Sequence, residues 1–488
     1  MVENCLFKPL KSFKLIKPLK PLANHFSVGE YMMMKKNISL ILLAAILPLL
    51  CFSQEKNLRY YDHVYQDNIK SVKFHINGLL ISMPILELGN EAELLLSFDD
   101  LNEEFVDYSY SVIHCDANWQ PSGLTEFEYM NGFNDQRIQT FDYSFKAKSI
   151  YTHYRLLLPN RDMQFTKSGN YLLKVYENDR DKRLIITRRF MIVDPKVKIT
   201  ARVRRPSTVS KIDTHHEIDF TVNHERFEIR NPQQELSAFV LQNGRWDNAI
   251  AEVRPLFSRP EVQRFDYQGK IVFEAGKEFR ALNLRGLRYP GPGLRSVEFT
   301  ENGYEVWLEQ DRKRGNMPYF DAFDINGNFI IENMDDGDRR YFERIIANPG
   351  DGGNQALRLA FDEVTVHELQ SEYVNVFFSL YSPTEYDNED VFIFGGLTDW
   401  QLKEQFRMTY NPAISSYVAK VKLKQGFYDY MYALLPRGGM EPRFDITEGS
   451  WHETDNTYSI LLYYRPFGGR YDQLIGYRTF NSRFAGDR

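Results

Sequence analysis

Histidine, cysteine and aspartate stand side by side in the run His114-Cys115-Asp116, and these are residue types that metal sites and nucleophilic catalysis use. A site of either kind needs its groups at one point, whereas successive residues of a strand face opposite sides of a sheet. The adjacent pair His215-His216 has the same geometry. Since a buried cysteine commonly behaves as a small apolar side chain, we predict a structural role for Cys115 and no metal centre or nucleophile here.

A second candidate is the run Asp324-x-Asn326-x-Asn328, which matches the first three ligand positions of a calcium loop. Such a loop requires glycine at its sixth position and glutamate at its twelfth, where this chain has Phe329 and Asp335. The dipeptide Asn326-Gly327 instead predicts a β-hairpin between Phe323 and the apolar run 329–331.

No phosphate-binding, serine-hydrolase or metalloprotease motif occurs, and the glycine-rich run 348–354 lacks the Lys-Ser/Thr ending of a phosphate loop. We therefore predict no catalytic residue, no metal and no cofactor. An enzyme whose site is assembled from distant acids stays an alternative, which a deep pocket with converging carboxylates would indicate.

The elements around these residues are predicted to be strands. Apolar and polar residues alternate with period two, which is typical of strands with one buried face, in 72–76, 94–98, 171–175, 218–222, 419–423 and 428–434. Many short strands separated by turn signals predict an all-β fold of three serial immunoglobulin-like β-sandwiches. We expect an N-terminal sandwich at 57–195, a middle one with long loops at 196–365, a C-terminal one at 366–482, and a polar tail at 483–488.

Residues 1–54 are predicted to be removed before the protein acts. Lys35 and Lys36 precede the apolar run 38–50, and small and polar residues follow, which together resemble a secretory signal peptide. The three methionines at 32–34 indicate that translation starts there, so that 1–31 is a spurious extension. A transit peptide and a buried helix are the alternatives. Leu50 stands where acylation of Cys51 needs a small residue, so we do not expect a lipid anchor.

Charge and cysteine content exclude further classes of protein. The formal net charge is −6, and residues 1–54 hold seven lysines but two acids, so the exported chain is more acidic still. Nucleic acid is therefore not an expected partner. Cys115 would be the one remaining cysteine, and it cannot form an internal disulfide. No other stretch is apolar enough to span a membrane as a helix.

The predicted C-terminal sandwich resembles the glycogen-binding type of carbohydrate module. The resemblance rests on the run 391–400, a strand that leads into a turn with Trp400, and on the run 426–432. It implies an immunoglobulin-like fold and a sugar site, with Trp400 as the first tryptophan and Trp451 as a loose match to the second. Met431 stands where that family has its lysine. Packing of Trp400 against the core is the alternative to a sugar platform.

A second resemblance covers nearly the whole exported chain, which is similar to the type IX secretion system plug protein family of Bacteroidota. The strings that carry it are 60–62, 67–72, 84–85, 97–101, 114–119 (HCDANW), 128–133 (EYMNGF), 151–154, 168–171 (SGNY) and 463–472 (YYRPFGGRYD). The resemblance implies a periplasmic, non-enzymatic subunit that binds the large outer-membrane β-barrel translocon and closes it while no cargo is present. It implies no catalytic residues.

Interface anchors are commonly aromatic or arginine side chains in exposed loops. The turn-rich segment 114–133 carries Trp119, Phe127, Tyr129 and Phe133, which we predict as candidate contacts with the translocon. The alternative is that these rings cover the end of the first sandwich core. Only a short polar tail follows Ser482, so we expect export to end in the periplasm. A carbohydrate-binding protein that uses Trp400 and Trp451 is the rival function.

Overall fold

Strands dominate the computed structural model, which describes residues 58–102, 104–289, 291–335, 340–347 and 358–483. The predicted signal segment 1–54 and nearly all of the tail 483–488 lie outside the described residues. From Arg59 onward the chain forms one compact unit. Within the described ranges, no helix combines the length and the apolar character needed to cross a membrane.

The first sandwich packs a six-stranded sheet on a four-stranded one. The larger sheet contains β1 (His63–Val64), β3 (Ile85–Glu87), β5 (Tyr108–Cys115), β7 (Gln136–Arg137), β11 (Gly169–Glu177) and β12 (Leu184–Val193), in the order β1-β12-β11-β5-β7, with β3 parallel to β12. The smaller sheet contains β2 (Ile69–Ile76), β4 (Leu94–Asp100), β8 (Thr140–Tyr143) and β9 (Thr152–Leu158), in the order β2-β4-β9-β8. A ribbon of β6 (Met130–Gly132) and β10 (Met163–Phe165) lies beside them.

The second sandwich combines residues from the middle and the end of the chain. One sheet contains β13 (Lys198–Arg204), β14 (His215–Asn223), β17 (Phe257–Ser258), β18 (Val262–Phe265) and β19 (Val272–Glu274). The other contains β15 (Leu236–Gln242), β16 (Ile250–Val253), β29 (Thr457–Tyr464) and β30 (Gln473–Asn481), in the order β16-β15-β29-β30. Phe220, Val240 and Ile460 belong to its single core.

The third module is a nine-stranded sheet. It contains β20 (Arg280–Asn283), β21 (Leu294–Thr300), β22 (Gly303–Leu308), β23 (Phe329–Ile331), β24 (Tyr373–Tyr381), β25 (Glu389–Phe394), β26 (Arg407–Asn411), β27 (Ser416–Lys424) and β28 (Gly426–Pro436). The order is β20-β28-β25-β26-β27-β24-β22-β21, with β23 paired to β28. Leu282 and Leu294, from opposite ends of this order, share one core, so the sheet curls over on itself.

In the described part of the chain, four α-helices connect these strands: α1 (Glu126–Tyr129), α2 (Pro232–Glu235), α3 (Phe342–Ala347) and α4 (Phe361–Gln370). Short 3-10 turns occur at Val209–Lys211, Gly396–Thr398, Glu404–Phe406 and Pro412–Ile414. The prediction of an all-β, sandwich-type protein is thus confirmed.

Strand pairing departs from a strictly serial order of domains. β29 and β30 lie in the predicted C-terminal range 366–482, but β29 pairs with β15 of the second sandwich and β30 pairs with β29. Conversely, β20 to β23 lie in the predicted middle range 196–365 but join the third module. Two strands near the chain end thus complete a sheet that begins in the middle of the chain. The boundaries of the three predicted domains stay a prediction.

Two local expectations are corrected. The turn at Asn326-Gly327 forms with positive φ at both residues, but β23 pairs with β28 and not with the segment before the turn. The expectation of one solvated face is wrong for β4 and for most of β28. The reason is a second covering layer: Asp99 of β4 contacts the third module, and Asp429 of β28 binds the backbone of the 324–328 turn.

Candidate partner-binding surface

The loop that follows β5 is shaped by one carboxylate. Asp116 Oδ1 accepts hydrogen bonds from the backbone amides of Asn118 and Gln120, both at 2.9 Å, which closes a tight turn. Trp119 lies inside this turn with φ of 63°, a left-handed conformation. The carboxylate thereby fixes the direction in which the Trp119 ring leaves the loop.

Trp119 is 3% exposed and packs into the seam between the first and second sandwiches. Its ring meets Trp246 edge-on at 5.0 Å, and the Arg189 guanidinium lies 4.4 Å from its centre. Burial lowers the pKa of Arg189 to about 10. The ring is therefore enclosed by this chain's own residues and is not free to contact a partner.

The single turn α1 places its two aromatic residues on opposite sides. Its first turn is held by a capping box, in which Glu128 Oε2 accepts the Thr125 amide at 2.7 Å. Phe127 points to solvent and is 88% exposed, whereas Tyr129 is 4% exposed and donates to the Val112 carbonyl at 3.2 Å. Of this pair, Phe127 alone is available to a partner.

Phe133 follows the β6 ribbon and is 74% exposed. Its amide donates to the Asp162 carbonyl at 3.1 Å. The same carbonyl would lie 2.0 Å from a Cβ at Gly132, whose φ is 107°, so only glycine fits there. The backbone behind Phe133 is thus held tightly while its ring faces solvent.

The loop between β29 and β30 packs against this segment although it lies about 340 residues further along the chain. Asp472 accepts the Ala117 amide at 2.8 Å and pairs with Arg465 at 2.7 Å. Arg470 pairs with Glu128 of the capping box at 2.6 Å and also donates to the Gly123 carbonyl. The hydrogen bond from Thr125, together with Arg470, holds the pKa of Glu128 at about 2.

At the tip of this loop, the Phe467 side chain is 99% exposed. We call Phe127, Phe133 and Phe467 the aromatic loop surface, because each ring faces solvent from one of two loops that are joined by Arg470 and Asp472. A cavity of about 570 Å³ is lined by Phe467, Asn118 and residues of both loops. Phe467 was not among the predicted contacts, although an aromatic residue inside the turn Pro466-Phe467-Gly468-Gly469 is a usable signal.

Several strings that carry the family resemblance meet at this point. Tyr463 donates to the Asn170 side chain at 2.7 Å, and Asn170 donates to the Asp116 carbonyl at 2.9 Å. The rings of His114 and Tyr471 lie 5.5 Å apart, edge to face. Strings that are far apart in sequence thus form one structural unit.

A second feature is a buried ionic network between the first sandwich and the third module. Asp99 of β4 accepts hydrogen bonds from His153 at 2.6 Å, from Tyr373 at 2.6 Å and from Lys424. The other nitrogen of His153 lies 3.0 Å from a carboxylate oxygen of Glu368 in α4. All five side chains are buried, so the network joins the two modules through desolvated charges.

The pKa values in this network follow from competition between burial and charge. Burial lowers the pKa of His153, but Glu368 and Asp99 outweigh it, so the net pKa is raised. Burial raises the pKa of Asp99, but the opposing effect of Lys424 and His153 is larger, so the net pKa lies below its usual value. Both shifts favour the ionised forms, in which a cationic His153 lies between two carboxylates.

The two predicted carbohydrate-facing residues are half-buried and packed. Trp400 contacts Phe279 and Phe394 edge-on, and the Arg245 guanidinium lies 4.8 Å from its centre. Trp451 has Lys277 at 5.7 Å. Both rings are thus partly covered by side chains of this chain, and carbohydrate binding stays a prediction.

The residues that resembled metal or nucleophile sites have structural partners. His114 is held between Ser122 Oγ at 2.8 Å and the Ser168 carbonyl at 3.2 Å. Burial raises the pKa of the Cys115 thiol to about 12, which disfavours the reactive thiolate. In the part of the chain that the structure describes, no group of three or more His, Cys, Asp or Glu side chains could hold a metal ion.

Asp324 and Asp429 are two buried carboxylates that converge on one turn. Burial raises the pKa of Asp324 to about 7, and burial together with the Asp324 charge raises that of Asp429. Asp324 accepts the Phe279 amide at 2.7 Å, and Asp429 accepts the amides of Ile325 and Gly327 at 2.6 and 3.0 Å. Both carboxylates hold the turn in place, and neither lines the cavities described here.

The described residues thus define an all-β protein of packed sandwiches whose exposed phenylalanines at one site lie on loops braced by ion pairs. The chain belongs to the type IX secretion system plug protein family: the family described as "Type 9 secretion system plug protein 1st domain" matches residues 69–194. A solved crystal structure of a hypothetical protein from Parabacteroides merdae is similar, with 32% sequence identity and a TM-score of 0.78, and the match covers 87% of this chain and 100% of that one. A search of curated proteins gives no significant match.

Proposed function

We propose that this protein is a periplasmic plug that binds the outer-membrane β-barrel translocon of the type IX secretion system and closes it while idle. The observation that carries the proposal is family membership, because the matched range 69–194 includes the loops that present Phe127 and Phe133. The translocon as direct partner, the closing action and the periplasmic location are parts of this proposal.

The packing of the modules supports the proposal because a plug must resist deformation. The network around Asp99 joins the first sandwich to the third module, and Trp119 fills the seam between the first and second sandwiches. β29 and β30 return to the second sandwich, so the end of the chain is tied into an earlier sheet. The parts of the chain therefore support one another as one compact body.

The aromatic loop surface supports a protein partner. Rigid aromatic side chains bury a large apolar area at a small cost in conformational entropy, and they commonly dominate interface energies. Phe127, Phe133 and Phe467 are exposed, while the ion pairs and turn hydrogen bonds behind them fix their loops. We propose that these three rings contact the periplasmic mouth of the barrel, with Arg470 and Glu128 at the polar rim.

The experiment is a permeability test in cells that lack this gene. A deletion strain is complemented with wild type, with Phe127→Ser/Phe133→Ser/Phe467→Ser, or with the control Tyr289→Ser/Phe320→Ser, whose side chains are exposed on other loops. We expect wild type and the control to restore exclusion of a large polar dye, and the triple variant to leave the strain leaky. A deletion strain that excludes the dye as well as its parent contradicts the proposal.

A further inference from the structure

A cavity of about 260 Å³ lies between the first sandwich and the third module, away from the residues assigned to the proposed function. Six basic side chains line it: Lys70, Arg188, Lys403, Lys420, Lys422 and Lys424. Two acidic side chains, Asp67 and Asp399, also line it. We call it the basic cavity. An excess of positive charge is notable in a chain whose net charge is −6.

Four of these cations are paired within the protein. Asp399 binds Arg188 at 3.0 Å and Lys403 at 2.6 Å. Lys424 is bound to Asp99 of the buried network, and Lys420 lies 3.4 Å from Glu305. Within the described part of the chain, four of the six lining cations are thus neutralised by carboxylates of the protein, and two are not.

The two remaining cations are Lys70 and Lys422. Among the residues that the structure describes, neither has a carboxylate within ion-pair distance, and Lys70 donates only to the Gln405 side chain at 3.2 Å. Burial lowers the pKa of Lys70, and the charges of Lys403 and Lys422 lower it further, although Asp67 opposes them. Lys403 and Lys422 therefore repel the partly desolvated amine of Lys70, and a bound anion would relieve this repulsion.

The rest of the lining has an apolar part, which includes Ile69, Val72, Phe329 and Phe406, beside polar side chains such as Ser71 and Gln405. A site with converging cations and apolar walls suits a ligand that has both a charged and an apolar part. We propose that the basic cavity binds a small organic anion, in which a carboxylate or a phosphate sits between Lys70 and Lys422 and an apolar body lies against these walls. Such a ligand would bridge the first sandwich and the third module.

Direct titration of the full chain tests this site. Sodium hexanoate and inorganic phosphate are titrated separately by calorimetry and thermal unfolding, against sodium chloride at equal ionic strength. We expect hexanoate to bind, and Lys70→Gln or Lys422→Gln to weaken it roughly tenfold, as expected for the loss of one charge-assisted hydrogen bond. If phosphate binds and the same two substitutions weaken it, the site is also supported. That result would show that the anionic group alone is sufficient for binding.

Lys198→Gln is the control, since Lys198 is an exposed lysine on a strand outside the cavity, and we expect it to bind as wild type does. Lys422 is itself exposed, so its variant is expected to fold, and its result decides the case if the Lys70 variant does not fold. The proposal is overturned if neither anion acts beyond chloride, or if binding is equal in wild type and Lys422→Gln.

Discussion

Arg470 pairs with Glu128 at 2.6 Å and so joins the loop near the chain end to the capping box of the helical turn that carries Phe127. Glu128 also accepts the Thr125 amide, so one carboxylate serves the turn and the distant loop. This contact makes the exposed position of Phe127 depend on residues 465–472.

Replacement of Arg470 is expected to loosen the aromatic loop surface without unfolding the protein. In Arg470→Gln, Glu128 keeps the hydrogen bond from the Thr125 amide but loses the ion pair with the loop between β29 and β30. We expect amide hydrogens of 121–133 to exchange severalfold faster by mass spectrometry, with little change in the unfolding temperature, because exposed ion pairs contribute little to stability. Arg443→Gln, which removes an exposed pair elsewhere, should leave this exchange unchanged.

Loss of the buried ammonium is expected to be costly. Lys424→Met leaves Asp99 buried beside one fewer cation, so we expect the free energy of unfolding to fall by about 3–5 kcal/mol. Lys420→Met on the same face of the same strand removes an exposed pair with Glu305 and should cost less than about 1 kcal/mol. Denaturant unfolding of both variants measures the two free energies of unfolding. Equal losses would show that the buried ion pair contributes no more to stability than the exposed one.

Stability is expected to depend on pH through His153. Its pKa in the folded state is raised above the usual 6.5, so its contribution is fully present below about pH 6.5 and is lost as pH rises through the folded pKa. The difference in unfolding free energy between wild type and His153→Gln should therefore shrink from pH 6 to pH 9. His215, whose pKa is lowered by burial, provides a control of opposite sign. A difference that stays constant with pH would mean that His153 has the same pKa in the folded and unfolded states, and a difference that grows with pH would mean that it is buried as the neutral imidazole.

Trp119 is expected to act through stability. Trp119→Ala empties the seam with Trp246 and Arg189 and should lower the free energy of unfolding by about 3–5 kcal/mol. Phe127→Ala, which removes an exposed ring, should change it by less than about 0.5 kcal/mol. Denaturant unfolding measures both values. A Trp119→Ala variant as stable as wild type would contradict the structural role of Trp119.

Period-two alternation predicted some of the strands, since β2, β11, β14 and β27 include the predicted runs. It could not predict partners, because pairing of β15 with β29 depends on contacts between residues more than 200 positions apart. It also could not predict second-layer burial: Lys424 alternates like a solvated lysine but meets Asp99 of another module.

Only part of the candidate surface could be predicted, again because local patterns do not encode contacts between distant residues. Exposure within 114–133 depends on which side of a turn each ring leaves, and Asp116 and the α1 capping box decide this locally. The predicted set therefore divides into exposed Phe127 and Phe133 and buried Trp119 and Tyr129. The turn around Phe467 signals an exposed ring, but its place beside the segment 114–133 depends on a long-range contact that no local pattern encodes.

The most direct test of the account is the affinity of the purified protein for the translocon barrel in lipid nanodiscs. We predict that wild type and Tyr289→Ser/Phe320→Ser bind equally, and that Phe127→Ser/Phe133→Ser/Phe467→Ser binds at least tenfold more weakly while it unfolds at the same temperature as wild type. Failure of wild type to bind the barrel, or equal binding by the folded triple variant, would contradict the account.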